Sequence, residues 1–257
     1  MLKRRLIPKF LARKSSSSST DLEACISRHY SNFRMVGALK SQLRIFESNK
    51  ADELLVINLE KSPGPLNPNF IQAIKESVEM LSTPIMVGGG IASIDDAEAL
   101  VGVGVDKVLC GISTANHKLH TRIANLLGSQ ALSVSVDYSI ESGGIFVGFT
   151  ERVAHTWDSF KTLIRQIEES GAGEIILNRL DFDGTKTGLD LGTLEIVLSV
   201  ATVPIIVSSG GGKPEHFISA FELGADGVAT GTFFAKMDQN PLQLRSRIAN
   251  AGVNIRN

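Results

Sequence analysis

The chain is sparing with the residue types that most often decide a function class. It has only two cysteines, Cys25 and Cys110, in 257 residues. Neither has metal-ligand spacing, which excludes a disulfide framework and a structural zinc site, and Cys110 sits in the apolar run KVLC, where a thiol serves as a small hydrophobe. Two free thiols fit a reducing compartment. Neither sign of charge is in excess: 26 Lys and Arg against 27 Asp and Glu leave a net charge of -1. That argues against a nucleic-acid groove or an anionic membrane surface, so any anion specificity has to be local. No apolar run approaches the roughly 18 residues of a membrane span. The basic start MLKRRLIPKFLARK is interrupted by Pro8, Lys9 and Arg13 and lacks a small-residue cleavage site. It reads as a first strand instead of a signal peptide, and the protein as cytoplasmic.

What is present is a repeat. Residues Pro84 to Ala115 and Pro204 to Ala235 match without a gap at an offset of 120 positions. Each copy reads as a buried strand, a glycine cluster, an amphipathic helix and a second buried strand ending in glycine, a βαβ unit. With 43% hydrophobic residues, the length suits one (β/α)₈ TIM barrel over residues 1–257 with a two-fold half-barrel repeat.

Taken in order, Leu6 to Leu11 predicts strand one, and the serine run Ser15 to Thr20 a mobile segment over the barrel mouth. Asp21 to Phe33 has weak periodicity and reads as the rest of a long loop, followed by a helix over Met35 to Ser48 with Leu39, Leu43 and Phe46 inward. Glu53 to Leu59 is strand two and Asn69 to Leu81 a helix. Ile85 to Val87 and Lys107 to Cys110 are strands three and four around a helix at Asp95 to Val101, with Ser93 and Asp96 as a capping pair. Leu119 to Leu127 is the next helix. Leu132 to Asp137 is strand five, with a hairpin from Tyr138 to Phe149 after it. A helix over Trp157 to Glu169, strand six at Glu174 to Asn178 and the second repeat complete the barrel.

Bare glycine amides close around phosphate oxygens at strand ends, and a following helix adds its dipole. This predicts two anion sites, one at Gly89, Gly90 and Gly111, the other at Gly184, Thr185, Gly210, Gly211, Gly231 and Thr232. A tight βα turn is the bland alternative. Asp137, at a strand's carboxyl end, and Asp183, in DFDGTKTG, are the candidate catalytic carboxylates. Arg5, Glu53, Lys107 and Glu174 all fall at amino ends of strands, where they form either a ring around the barrel axis or ordinary surface ion pairs. No motif predicts a cofactor or a metal.

Over nearly its whole length, from MLKRRLIP through ADELLVINL, VGGGI, GAGEIILN, DFDGTKTG and SGGGKPEHF to GVNIRN, the chain resembles the cyclase subunit of imidazole glycerol phosphate synthase. That resemblance implies a barrel that receives ammonia from a glutaminase partner and uses it on a bisphosphorylated ribonucleotide in histidine biosynthesis. It implies an acid and a base at the ends of strands one and five. The strand-five acid is matched by Asp137, but the strand-one position is Leu11, and Arg13, Lys14 and serines replace the loop beyond it. Asn58, Gly111 and Asn178 are further departures at strand ends, whereas the ammonia gate is matched by Arg5, Glu53, Lys107 and Glu174. A side branch of the family, associated with surface-polysaccharide amidotransfer, is similar in lacking the strand-one aspartate. The expected function is therefore an ammonia-receiving subunit serving amidino-sugar formation. A histidine-pathway cyclase and a catalytically silent phosphate-binding barrel are the alternatives.

Overall fold

Strand β1 (Arg5–Lys14) shows how the sequence writes the architecture. Leu6, Phe10 and Ala12 pack outward into the main core, while Ile7 belongs to a separate interior cluster, as the two-residue alternation of a strand requires. The computed structural model describes residues 4–16, 21–60, 64–112, 117–142, 144–149, 151–236 and 240–255. An antiparallel hairpin, β2 (Leu22–Arg28) and β3 (Ser31–Ala38), follows β1 and leads into α1 (Leu39–Ser48). Then come β4 (Leu54–Asn58), α2 (Pro68–Val78), β5 (Ile85–Gly88), α3 (Ile94–Gly102), β6 (Lys107–Gly111) and α4 (His117–Leu127). In the second half β7 (Leu132–Glu141) continues into β8 (Gly144–Val147) and β9 (Val153–His155), then α5 (Trp157–Glu169), β10 (Glu174–Arg179) and α6 (Leu191–Leu198). The chain ends with β11 (Ile205–Ser208), α7 (Pro214–Leu223), β12 (Gly227–Thr230), α8 (Thr232–Lys236) and α9 (Pro241–Asn250).

Strands β1, β4, β5, β6, β7, β10, β11 and β12 pair in parallel in that order, and β12 returns to β1. This is the closed (β/α)₈ barrel, and closure leaves its eight strands no free edge. Apolar helix stripes seal the outside. On α5, Phe160, Ile164 and Ile167 are fully buried, and Thr156 caps the helix by accepting from the Ser159 amide. Truncating such a phenylalanine to alanine typically costs about 3–5 kcal/mol.

The half-barrel repeat is visible in individual bonds. The Ile85 amide donates to the Asp106 carboxylate at 2.8 Å, and the Ile205 amide to that of Asp226 at 3.0 Å. Both aspartates donate their own amides back, to the carbonyls of Ile85 and Ile205. The capping box of Ser93 and Asp96 is present as the sequence suggests.

Two expectations need correction. Asp21 to Phe33 is not a loop but most of the β2–β3 hairpin, in which Leu11 pairs with Cys25 and Ala12 with Ala24. Strand β2 is buried continuously from Leu22 to Ser27, polar Glu23 and Ser27 included, which obscures a period of two. Met35 belongs to β3, and α1 starts only at Leu39. The Tyr138 to Phe149 hairpin is present at the carboxyl end of β7. Residues 17–20, and with them most of the serine run, lie outside the described residues.

Candidate active site

The barrel interior is built in three layers, each supplied by every second residue of the strands. At the amino end lies a ring of charge. Arg5 is 2.7 Å from Glu53 and 2.8 Å from Glu174, and Lys107 is 3.0 Å and 2.9 Å from the same two carboxylates. The four alternating charges close on themselves. They are not surface pairs, because the two glutamate side chains are only 3% and 6% exposed. Burial, with Glu174 opposite, pushes the Glu53 carboxyl up; Glu174 is as deeply buried, but Arg5 and Lys107 hold it down. Two residues further along the strands, Ile7, Leu55, Met86, Leu109, Ile176, Ile206 and Ala229 form an apolar layer.

The third layer, at the carboxyl end, is polar. Lys9 is 4% exposed, and its ammonium donates to the Tyr30 hydroxyl at 2.9 Å, Ser208 at 3.1 Å and Ser209 at 3.4 Å. Burial works to lower its pKa, but Tyr30, Asp183 and Asp137 outweigh that and hold it above the ordinary lysine value, so the group stays charged. Tyr30 and Ser209 each donate to the Asn178 side-chain oxygen at 2.9 Å, and the Asn178 amide donates to Asp137 at 2.6 Å. Ser135 donates to the same oxygen of Asp137 at 2.9 Å. One face of the Asp137 carboxylate is thus fixed by two donors, which is how a working acid or base is oriented.

Asp137 opens onto a cavity of about 520 Å³. Tyr30, Phe33 and Phe149 form its aromatic rim, with Tyr30 and Phe149 edge to face at 5.5 Å. Gly89, Gly90 and Gly111 line the same cavity. Gly89 has a φ of 91°, and a Cβ there would sit 2.3 Å from the Asn58 carbonyl, so no other residue fits. A second, much smaller cavity of about 10 Å³ is bordered by Lys9, Asp183, Gly184, Gly210, Gly211, Gly231 and Thr232. Thr185 lies next to it and folds back, its hydroxyl donating to the Phe182 carbonyl.

Asp183 borders this smaller cavity and not the one onto which Asp137 opens. Ser27 and the Tyr30 amide donate to its carboxylate, and Lys9 lies 3.6 Å away. It fastens the hairpin tip, where His29 and Tyr30 take the left-handed backbone conformation. Leu11 is 2% exposed beneath that hairpin, in register with Ile57 and Cys25. It does not border the 520 Å³ cavity.

Sequence reasoning missed Lys9 and Tyr30. Lys9 had a signal, since a lysine alternating with Arg5 and Ile7 in an apolar strand must point inward. Tyr30 had none, because its segment carries no readable period.

The fold and this layered interior define a closed (β/α)₈ barrel with a charged ring at its amino end and a polar mouth at its carboxyl end. Residues 27–239 match the family described as "Histidine biosynthesis protein". A protein of Prochlorococcus marinus (strain MIT 9313), "Putative imidazole glycerol phosphate synthase subunit hisF2", is 37% identical over 100% of this chain and 99% of its own length. "Imidazole glycerol phosphate synthase subunit HisF" of Thermotoga sp. (strain RQ2) is 32% identical over 89% of this chain and 90% of its own. The protein of that name from Campylobacter jejuni (strain 81116 / NCTC 11828) is 31% identical over 88% and 91%. The chain belongs to this family, that of the HisF-type synthase subunits. Among the described residues no helix is long and apolar enough to cross a membrane.

Proposed function

We propose that this chain is the ammonia-receiving barrel of a glutamine amidotransferase of the imidazole glycerol phosphate synthase type. A glutaminase docks at the amino face, and ammonia passes the charged ring and the apolar layer to an acceptor held beside Asp137. The observation that carries this reading is the closed ring of Arg5, Glu53, Lys107 and Glu174 directly under an interior lined by aliphatic side chains. A small neutral molecule crosses such a layer at low cost, whereas an ammonium ion does not. The names of the relatives favour imidazole-forming chemistry over amidino-sugar formation for a surface polysaccharide, a role that nothing in them supports.

Asp137 is the acid–base group of this proposal, and Leu11 cannot be its partner. Loss of one partner in acid–base work costs about 10²- to 10⁴-fold. With ammonia supplied, the isolated protein should therefore convert the histidine pathway's bisphosphorylated ribonucleotide slowly, and Asp137→Asn should abolish that activity. Turnover at an ordinary enzyme rate of about 1 to 10³ per second would show that another group replaces the strand-one acid. No turnover at all would leave the silent phosphate-binding barrel.

A further inference from the structure

The apolar layer between the charged ring and the mouth is interrupted at one strand. Among the described residues, each of the other seven barrel strands puts an apolar side chain into it, and β7 puts none. Leu132, Val134, Val136 and Tyr138 of β7 all pack outward into the main core. The alternation of the strand therefore turns Ser133, Ser135 and Asp137 inward.

The two serines straddle the layer. Ser133 is in register with Glu174 of the ring on one side and with Leu109 of the layer on the other, and Ser135 with Ile176 of the layer and Gly111 at the mouth. Ser133 is fully buried and donates to Glu174 at 2.5 Å. Ser135 donates to Asp137 at 2.9 Å and borders the 520 Å³ cavity. A hydroxyl thus stands at each end of the layer, one tied to the ring and the other to the acid–base group. Packing does not ask for either, since alanine would fill nearly the same space with no polar group to satisfy. Each hydroxyl gives its one proton to a carboxylate, so its oxygen offers lone pairs, which accept an N–H. Two such acceptors are too few to replace the hydration of an ammonium ion but enough to guide neutral ammonia.

We propose that ammonia crosses the layer along β7, taken from the ring by Ser133 and passed to Ser135, and that both serines are positioning residues for the transfer. The inference rests on the reading of the barrel as an ammonia-receiving subunit. Two residues of strand span about 7 Å, so ammonia released by Ser133 reaches Ser135 in a single step. By donating an N–H to the Ser135 oxygen, it keeps its lone pair free to face the acceptor beside Asp137.

The nitrogen source of the product tests the route. The glutaminase complex is given amide-¹⁵N glutamine in unlabelled ammonium, and the ratio of glutamine nitrogen to bath nitrogen in the product is compared among variants. Ser133→Ala and Ser135→Ala remove a hydroxyl without adding bulk, and each should lower that ratio about five-fold, what one neutral hydrogen bond contributes. Ser133→Thr keeps the hydroxyl and should keep the wild-type ratio. Ile206→Val trims the apolar layer away from β7 and should leave the ratio unchanged, which separates a route from a general loosening of the interior. An unchanged ratio in either alanine variant, a fall in Ser133→Thr as large as in Ser133→Ala, or an equal fall in Ile206→Val would overturn the β7 route. In those outcomes the wild type still draws its nitrogen from glutamine, and the ammonia-receiving reading stands. A wild type that draws equally on the bath ends both.

Discussion

The Lys9 ammonium and the Tyr30 hydroxyl meet at 2.9 Å, joining the inside of the barrel wall to the tip of the hairpin that covers it. Through Asn178 the same chain of bonds reaches Asp137. Lys9→Met should therefore do more than remove a charge. It leaves Asp183 buried without its cation and strips a donor from Tyr30, Ser208 and Ser209. A loss of about 3 kcal/mol is expected in urea unfolding, together with faster amide exchange in Cys25 to Tyr30.

Leu11→Asp should not restore a strand-one acid. Position 11 is sealed between Cys25 and Ile57, so a carboxylate there is buried without a partner and should cost at least about 3 kcal/mol. Ammonia-dependent turnover should not rise. A large gain in rate with unchanged stability would show that position 11 opens onto the acceptor.

How legible this was follows from where each signal lies. The barrel could be read because its strands are apolar runs, and because one βαβ unit is written twice with the Asp106 and Asp226 bonds in register. The ring was legible from four charges at strand starts. Its burial was not, since sequence position cannot show that Glu53 and Glu174 face each other across the axis. The hairpin escaped because β3 exposes nearly every residue from Ser31 to Met35, leaving no alternation to detect. Lys9 was passed over as an interruption of an apolar strand, although that interruption is what reaches the site.

Stability should fall as the solution is acidified from pH 6.5 toward 4, and His120 should account for part of the fall. The ring is fully buried; burial, aided by His117, lowers its pKa from 6.5 to about 4. In that window the unfolded chain binds a proton that the folded chain does not, so stability rises with pH across it and is lost as pH falls. The full effect is on the order of 3 kcal/mol. His120→Leu should flatten the urea-derived stability curve between pH 5 and 6.5 relative to the wild type, a difference from which the carboxylates common to both proteins cancel.

Both thiols should be inert in the native protein. Cys25 and Cys110 are buried; burial raises both thiol pKa values, that of Cys110 to about 12. A thiol reagent at pH 8 should label neither until denaturant is added, and both afterwards.

The central claim is that ammonia travels inside the barrel from the ring to Asp137, and nitrogen labelling tests it most directly. The complex with its glutaminase is supplied with amide-¹⁵N glutamine in a bath of unlabelled ammonium, and the label in the product is measured for wild type and for Lys107→Ala. The variant should still fold, at a cost of about 3 kcal/mol for opening a buried ion-pair ring. The account predicts that wild-type product takes its nitrogen from glutamine, and that Lys107→Ala draws on the bath while glutamine hydrolysis continues. Equal use of bath ammonium by the wild type, or no change of nitrogen source in the variant, would contradict passage through the barrel.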